Sequence, residues 1–149
     1  MTKRRAPIYL ILLHYPIRDK TDTRDITTAI TNIDIHDGAR LAATYGCERY
    51  YLITPFEEQR SLVHRISSHW VDGKGSQRTP TRGIAMQKVA HTFDLIEACD
   101  EITKLHDSRP LIIGTSAQAQ PDQKIGYDGL QEVIANSDQP IVLLFGTGW

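Results

Sequence analysis

Four short runs of consecutive apolar residues punctuate the chain: Ile8–Leu13 (IYLILL), Tyr50–Ile53 (YYLI), Leu111–Ile113 (LII) and Ile141–Phe145 (IVLLF). Their apolar positions do not alternate with polar ones, so the pattern predicts strands buried on both faces. A fifth, weaker strand is predicted near His91–Phe93. Between the strands the apolar period lengthens to that of a helix. One helix is predicted over Ile35–Tyr45, with Asp34 and Asp37 in a capping-box-like spacing and Gly46 as its stop. A second is predicted from Thr54-Pro55-Phe56-Glu57, with Thr54 as N-cap, Pro55 at the first helical position, and a stripe of Phe56, Val63, Ile66 and Trp70. A third opens at Asp94 with Glu97 three residues later and turns Leu95, Ala98, Cys99 and Ile102 inward. A fourth covers Tyr127–Ala135 and turns Leu130, Val133 and Ile134 inward. Segment 72–83 (DGKGSQRTPTRG) has no period and is expected to be a loop.

Buried strands alternating with helices predict an α/β fold, a mostly parallel sheet with helices on both faces. In such sheets ligands bind beyond the carboxyl ends of the strands. That rule selects His14, Thr54-Pro55, Thr115-Ser116 and Gly146-Thr147-Gly148. Hydroxyls and glycines there allow close backbone approach to a ligand, although tight turns explain the glycines equally well. Neither GxGxxG nor a Walker loop occurs, which argues against a dinucleotide or nucleoside-triphosphate enzyme.

Composition narrows the class. The 149 residues suit a single domain over 1–149, and 40% hydrophobic with 23% charged residues excludes disorder and low complexity. Cys47 and Cys99 form neither a disulfide framework nor a zinc pattern, which fits a reducing, cytoplasmic setting. Ile8–Leu13 is stopped by His14 and Pro16, too short for a signal peptide or a membrane span, so no membrane partner is expected.

Charge changes the picture through its distribution. Net charge is −1, yet residues 60–93 carry six basic groups against Asp72 alone, and residues 94–149 carry three basic against nine acidic. The basic stretch is either a solvated surface or a face for a polyanion. On the second reading Lys74, Arg78 and Arg82 would contact RNA phosphates, with Trp70 either core or a base-stacking platform.

The densest polar cluster is Thr31–Arg40, TNIDIHDGAR. On a helix, His36 and Arg40 share a face, as do Asp37 and Arg40. Capping by Asp34 and a salt bridge from Asp37 to Arg40 is the structural explanation; anion binding at a helix N-terminus is the functional one. No second His or carboxylate stands at metal-ligand spacing, so no metal is expected.

The string TNIDIHDGARLAATYGCERYYLITP (Thr31–Pro55) resembles the first motif of the SPOUT RNA methyltransferases. Together with LLHYP (Leu12–Pro16), TSA (Thr115–Ala117) and LLFGTGW (Leu143–Trp149), it resembles a group of small RNA methyltransferases of that superfamily, which use S-adenosylmethionine (SAM). The matches fall in order and cover essentially the whole chain. The resemblance implies a trefoil-knotted α/β domain, SAM as cofactor, a homodimer, and tRNA or rRNA as partner. It implies that Thr115, Ser116 and Ala117 form one cofactor loop and Phe145, Gly146, Thr147, Gly148 and Trp149 a second. Asn32, Asp34 and Arg40 would face the methyl-accepting nucleotide, Arg40 holding a phosphate or base edge and Asp34 or Asp37 taking its proton. Asn32 and Arg40 are eight apart, whereas the superfamily often has six, the spacing of Asp34 and Arg40; either Asn32 or Asp34 fills the Asn role. The family continues past GTGW, so the resemblance also implies a missing C-terminal end, apolar surface exposed near Trp149, and no methyl transfer by this stretch alone. The alternatives are a non-catalytic SPOUT-like module binding RNA or cofactor, and a non-SPOUT doubly wound domain binding a nucleotide.

Overall fold

Each continuous apolar run becomes a strand of one sheet. In this computed structural model, which describes residues 5–19, 21, 23–118, 122 and 124–147, β1 spans Ile8–Leu13, β4 Arg49–Ile53, β5 Val89–Thr92, β6 Leu111–Gly114 and β7 Ile141–Gly146. The order across the sheet is β5-β4-β1-β7-β6, and every pairing is parallel. A short antiparallel ribbon, β2 (Ile17–Arg18) with β3 (Asp25–Ile26), follows β1. The helices are α1 (Asn32–Thr44), α2 (Glu57–Val71), α3 (Lys74–Arg78), α4 (Pro80–Met86), α5 (Leu95–His106) and α6 (Tyr127–Asn136).

The alternation of side chains along a strand sorts the core into two layers. On one face Tyr50 and Leu52 pack with Ile35, Ala39 and Ala42 of α1, Val63 of α2, and Ala85 and Met86 of α4. On the other, Tyr9, Ile11, Tyr51, Ile53 and Val142 pack with Ala98 and Ile102 of α5. Helices therefore cover both faces of the parallel sheet, as the pattern predicts.

Several elements depart from the pattern. β6 is an edge strand whose Leu111 and Ile112 remain 38% and 43% exposed, so the LII run is not buried on both faces. Helix α6 buries no residue fully; Leu130, Val133 and Ile134 are half-buried. Helix α1 starts three residues before Ile35, because Thr31 caps it and Asp34 sits at the third position of a closed capping box. Gly46, at φ +68°, follows its end in the left-handed conformation that glycine adopts freely. Thr54 does not cap α2: it is fully buried beyond β4, where its N–H donates to the Thr92 carbonyl at 3.2 Å. Helix α2 begins after Phe56, which is 51% exposed and outside the apolar stripe. Strand β5 starts two residues before His91 and ends before Phe93.

The largest departure is segment 72–83, which is helical, not a loop. A Cβ at Gly73 would lie 2.6 Å from the His69 carbonyl oxygen, one at Gly75 2.7 Å from the Trp70 ring, and one at Gly83 2.8 Å from the Trp70 carbonyl oxygen. The glycines that resemble turn signals let α3 and α4 close on the last turn of α2. Pro80 at the first turn of α4 then divides the two short helices.

Candidate functional site

Parallel pairing sends every strand's carboxyl end to the same edge of the sheet. There a cleft of about 890 Å³ is lined by Leu13, Thr115, Ser116, Ala117, Gln118 and Gly146, with residues 16–19 along one side. A smaller cavity of about 430 Å³ lies at the opposite end, beside Ala6, Pro7, Glu48 and Ser137, and no predicted site residue lines it.

Local bonding sets the walls of the large cleft. The Thr115 N–H and Oγ1 both donate to the Leu144 carbonyl, at 2.9 and 3.0 Å, tying the turn after β6 to β7. The Ser116 Oγ accepts from the Gln118 N–H at 3.0 Å and shapes the next turn. A Cβ at Gly146 would meet nothing within 4 Å, so its backbone faces open space. Phe145 is 40% exposed. Gly148 and Trp149, assigned to the second cofactor loop by resemblance, lie outside the described residues, as does the apolar surface expected near Trp149.

Thr147, which follows Gly146 of the cleft wall, is tied back to β1. Its hydroxyl donates to the Leu13 carbonyl at 3.0 Å and touches the Thr28 hydroxyl, which in turn meets His14 Nδ1 at 2.9 Å. His14 is only 1% exposed, and burial pulls its pKa below the usual imidazole value, against a smaller upward pull from Asp34. Its Nε2 lies 4.0 Å from Asp34 Oδ2 and has no hydrogen-bond partner among the described residues.

Asp34 occupies the first turn of α1, half-buried, and its Oδ2 accepts from the Thr31 N–H and hydroxyl, each at 2.7 Å. Its carbonyl accepts from the Tyr50 hydroxyl at 3.0 Å. Asn32 is exposed on the same turn. Asp37 and Arg40 form an exposed pair at 3.3 Å. Arg40 lies about 9 Å further along the helix axis than Asp34, at 1.5 Å per residue. The structure thus gathers Asp34, His14 and Thr147 in one neighbourhood and leaves Asp37 and Arg40 on the solvent face.

Lys74 and Arg78 are exposed on α3, a helix and not a mobile loop. The Arg82 guanidinium stands 4.6 Å above the Trp70 ring, and His36 meets that ring edge-on at 5.8 Å between centroids. Trp70 is therefore half-buried, with a cation over one face. Burial, then the Arg82 charge, hold the His36 pKa low.

Sequence reasoning missed the ribbon, and with it Arg18 and Asp19 beside the cleft and Thr28 in the hydroxyl chain. Two-residue strands leave too short a pattern to detect. Only the opposed charges of Arg18 and Asp25, which face each other across the ribbon, hint at it. Among the described residues no group of three or more His, Cys, Asp or Glu could hold a metal ion, and no helix is long and apolar enough to cross a membrane.

Residues 7–149 match a family model described as SAM-dependent RNA methyltransferase. The chain is similar to a tRNA (guanine-N(1)-)-methyltransferase of Oleidesulfovibrio alaskensis, 36% identical over an alignment of 149 positions that covers 98% of this chain and 34% of that protein. A protein of the same name from Nitratidesulfovibrio vulgaris is 33% identical over 95% of this chain and 32% of its own length. An uncharacterized protein of Aquifex aeolicus is 36% identical over 95% of this chain and 68% of its own length. The chain spans about a third of the two tRNA methyltransferases and about two thirds of the Aquifex protein.

Proposed function

The chain belongs to the SAM-dependent RNA methyltransferase family, and from that membership we propose that it binds SAM at the ends of β6 and β7 and methylates an RNA base. The observation carrying this reading is the cleft itself: it lies where parallel sheets hold ligands, and its walls are Thr115, Ser116, Ala117 and Gly146. Open space over Gly146 and exposed hydroxyls at 115 and 116 suit an adenosyl group held largely by backbone. SAM supplies an electrophilic methyl group on a sulfonium, and the protein's task is to align the acceptor with it. Phe145, Thr147, Gly148 and Trp149 complete the second cofactor loop, all four by resemblance.

The names of two relatives favour guanine N1 of a tRNA as the acceptor. That nitrogen carries a proton, which must leave as the new C–N bond forms and the C–S bond breaks. Asp34 is the base in this reading, since its half-buried carboxylate stands beside His14 at the first turn of α1; Asp37, paired with Arg40 in solvent, is the lesser candidate. Asn32 and Arg40 face the nucleotide, and Lys74, Arg78 and Arg82 hold phosphates. We read the sheet as a SPOUT-like knotted domain over 1–149 that works as a cytoplasmic homodimer.

Calorimetry with S-adenosylhomocysteine and a tritiated-methyl assay on separated tRNA and rRNA test the proposal. With the full-length protein, micromolar binding and label in tRNA are expected. Binding without label would make the chain a non-catalytic module, and absence of both would overturn the reading.

A further inference from the structure

The hydrogen-bond chain that begins at His14 fixes where its proton lies. Thr147 spends its one hydroxyl proton on the Leu13 carbonyl. In the short contact between Thr147 and Thr28, Thr28 must then donate. With that proton spent, the 2.9 Å contact between His14 and Thr28 needs a proton on Nδ1. The neutral ring is therefore the Nδ1–H tautomer, and Nε2 presents a bare lone pair toward Asp34, itself an acceptor already engaged by Thr31.

We propose that His14 is a positioning residue for cofactor binding, setting the Thr147 loop beside Gly146 through Thr28, an inference that rests on the cleft being the SAM site. At 1% exposure the ring touches no ligand, so it acts through Thr147. It stands between the two halves of the site: the end of β7 on its Nδ1 side, and the first turn of α1 with Asp34 on its Nε2 side. Losing the Nδ1 donor would free Thr28 and let the β7 loop move relative to β1.

The test measures S-adenosylhomocysteine affinity by calorimetry, KM and kcat for SAM, and melting temperature. The single variants are His14→Leu, His14→Asn, Thr28→Val and Thr147→Val, and a double variant combines His14→Leu with Thr147→Val. His14→Leu and Thr147→Val should each weaken binding at least tenfold, about 1.4 kcal/mol. KM should rise more than kcat falls. His14→Asn, which keeps a donor near the Nδ1 position, should recover affinity to within about threefold of the parent. In the double variant the two losses should not add, because both break one chain. Should His14→Leu fail to fold, Thr28→Val and Thr147→Val decide the matter by the same criteria. Parent-like affinity in the folded variants, or additive losses, would overturn the proposal. If the parent itself does not bind, the SAM reading falls.

Discussion

Gly38→Ala should destabilise the protein although alanine is the better helix former. Gly38 lies in the middle of α1, over the ring of Tyr50 from β4. A Cβ there would overlap the ring carbons Cζ and Cε1 and lie 2.6 Å from the hydroxyl oxygen. The ring cannot simply swing aside, since Tyr50 is 4% exposed and its hydroxyl donates to the Asp34 carbonyl at 3.0 Å. Replacing glycine inside a helix gains about 0.5–1 kcal/mol. Against this, overpacking costs about 1–3 kcal/mol, and the strained or lost hydrogen bond about 0.5–1.5 kcal/mol. The net loss is about 0.5–4 kcal/mol, which at roughly 3 °C per kcal/mol for this size lowers Tm by about 2–12 °C. Urea titration of Gly38→Ala beside Tyr50→Leu and the double variant gives a sharper test. Tyr50→Leu removes the ring, so Gly38→Ala in that background should stabilise by about 0.5–1 kcal/mol, from helix propensity alone. A reversal of sign between backgrounds is the signature of the overlap. If Gly38→Ala stabilises the parent, or costs the same in both backgrounds, α1 does not rest on Tyr50 as described.

Gly146→Val should leave Tm within a few degrees of the parent, since no atom of the described residues lies within 4 Å of the added Cβ. Calorimetry should nonetheless show at least a tenfold loss of S-adenosylhomocysteine affinity, and unchanged affinity would place the site elsewhere. Arg40→Ala removes an exposed pair worth about 0–1 kcal/mol, so the variant should melt almost normally and lose most turnover; a large fall in Tm would make Arg40 structural. Replacing Lys74, Arg78 and Arg82 together by Ser should flatten the log–log salt dependence of RNA affinity by roughly 0.7–0.9 per phosphate contact, and an unchanged slope removes them from the interface. His14, His36 and His91 all have pKa values lowered chiefly by burial. The unfolded chain then binds more protons than the native one below its own imidazole pKa. Stability should be full above about pH 6.5 and decline as pH drops through the lowered values, with the buried His14 adding a slope of up to about 1.4 kcal/mol per pH unit and the half-buried His36 and His91, screened by solvent, less. Urea midpoints that stay flat from pH 7 to pH 5 would contradict this.

Strand positions were legible because burial on a central parallel strand demands consecutive apolar residues, and Ile8–Leu13 of β1, Tyr50–Ile53 of β4 and Ile141–Leu144 of β7 meet that demand. Asp94 and Glu97 marked α5 because the Asp94 carboxylate does accept from the Glu97 N–H, at 2.8 Å. Elsewhere local signals conceal tertiary demands. Thr54-Pro55-Phe56-Glu57 has the form of a helix start, yet the buried Thr54 belongs to the sheet and α2 begins with no side-chain cap. The glycines at 73, 75 and 83 have the composition of a loop, and only the neighbouring helix α2 explains them. On the cleft side, the strand-end rule picked out His14, Thr115, Ser116 and Gly146 without any account of what would hold them. The bonds that do so run from residue 14 to 28, from 28 to 147 and from 115 to 144, separations that no local pattern encodes.

The segment Thr31–Arg40 shows how structure separates folding from chemistry within one motif. Thr31 caps α1, and Asp34 closes the capping box while its carbonyl receives the Tyr50 hydroxyl. Ile35 and Ala39 are fully buried, Gly38 makes room for the Tyr50 ring, and His36 packs edge-on against Trp70. Most of the motif is accounted for by the way α1 is capped and laid on β4. Asn32, Asp37 and Arg40 are left on the exposed side, where the exposed pair contributes little stability. A nucleotide held over the first turns of α1 would meet those three side chains and the free edge of Asp34. Asp34 alone belongs to both sets, and its carboxylate reaches the His14 neighbourhood without leaving the helix. An Asp34→Asn variant keeps an acceptor oxygen for Thr31 and removes the negative charge. Loss of turnover with retained stability there would assign the carboxylate to chemistry; a matching fall in Tm would assign it to the cap.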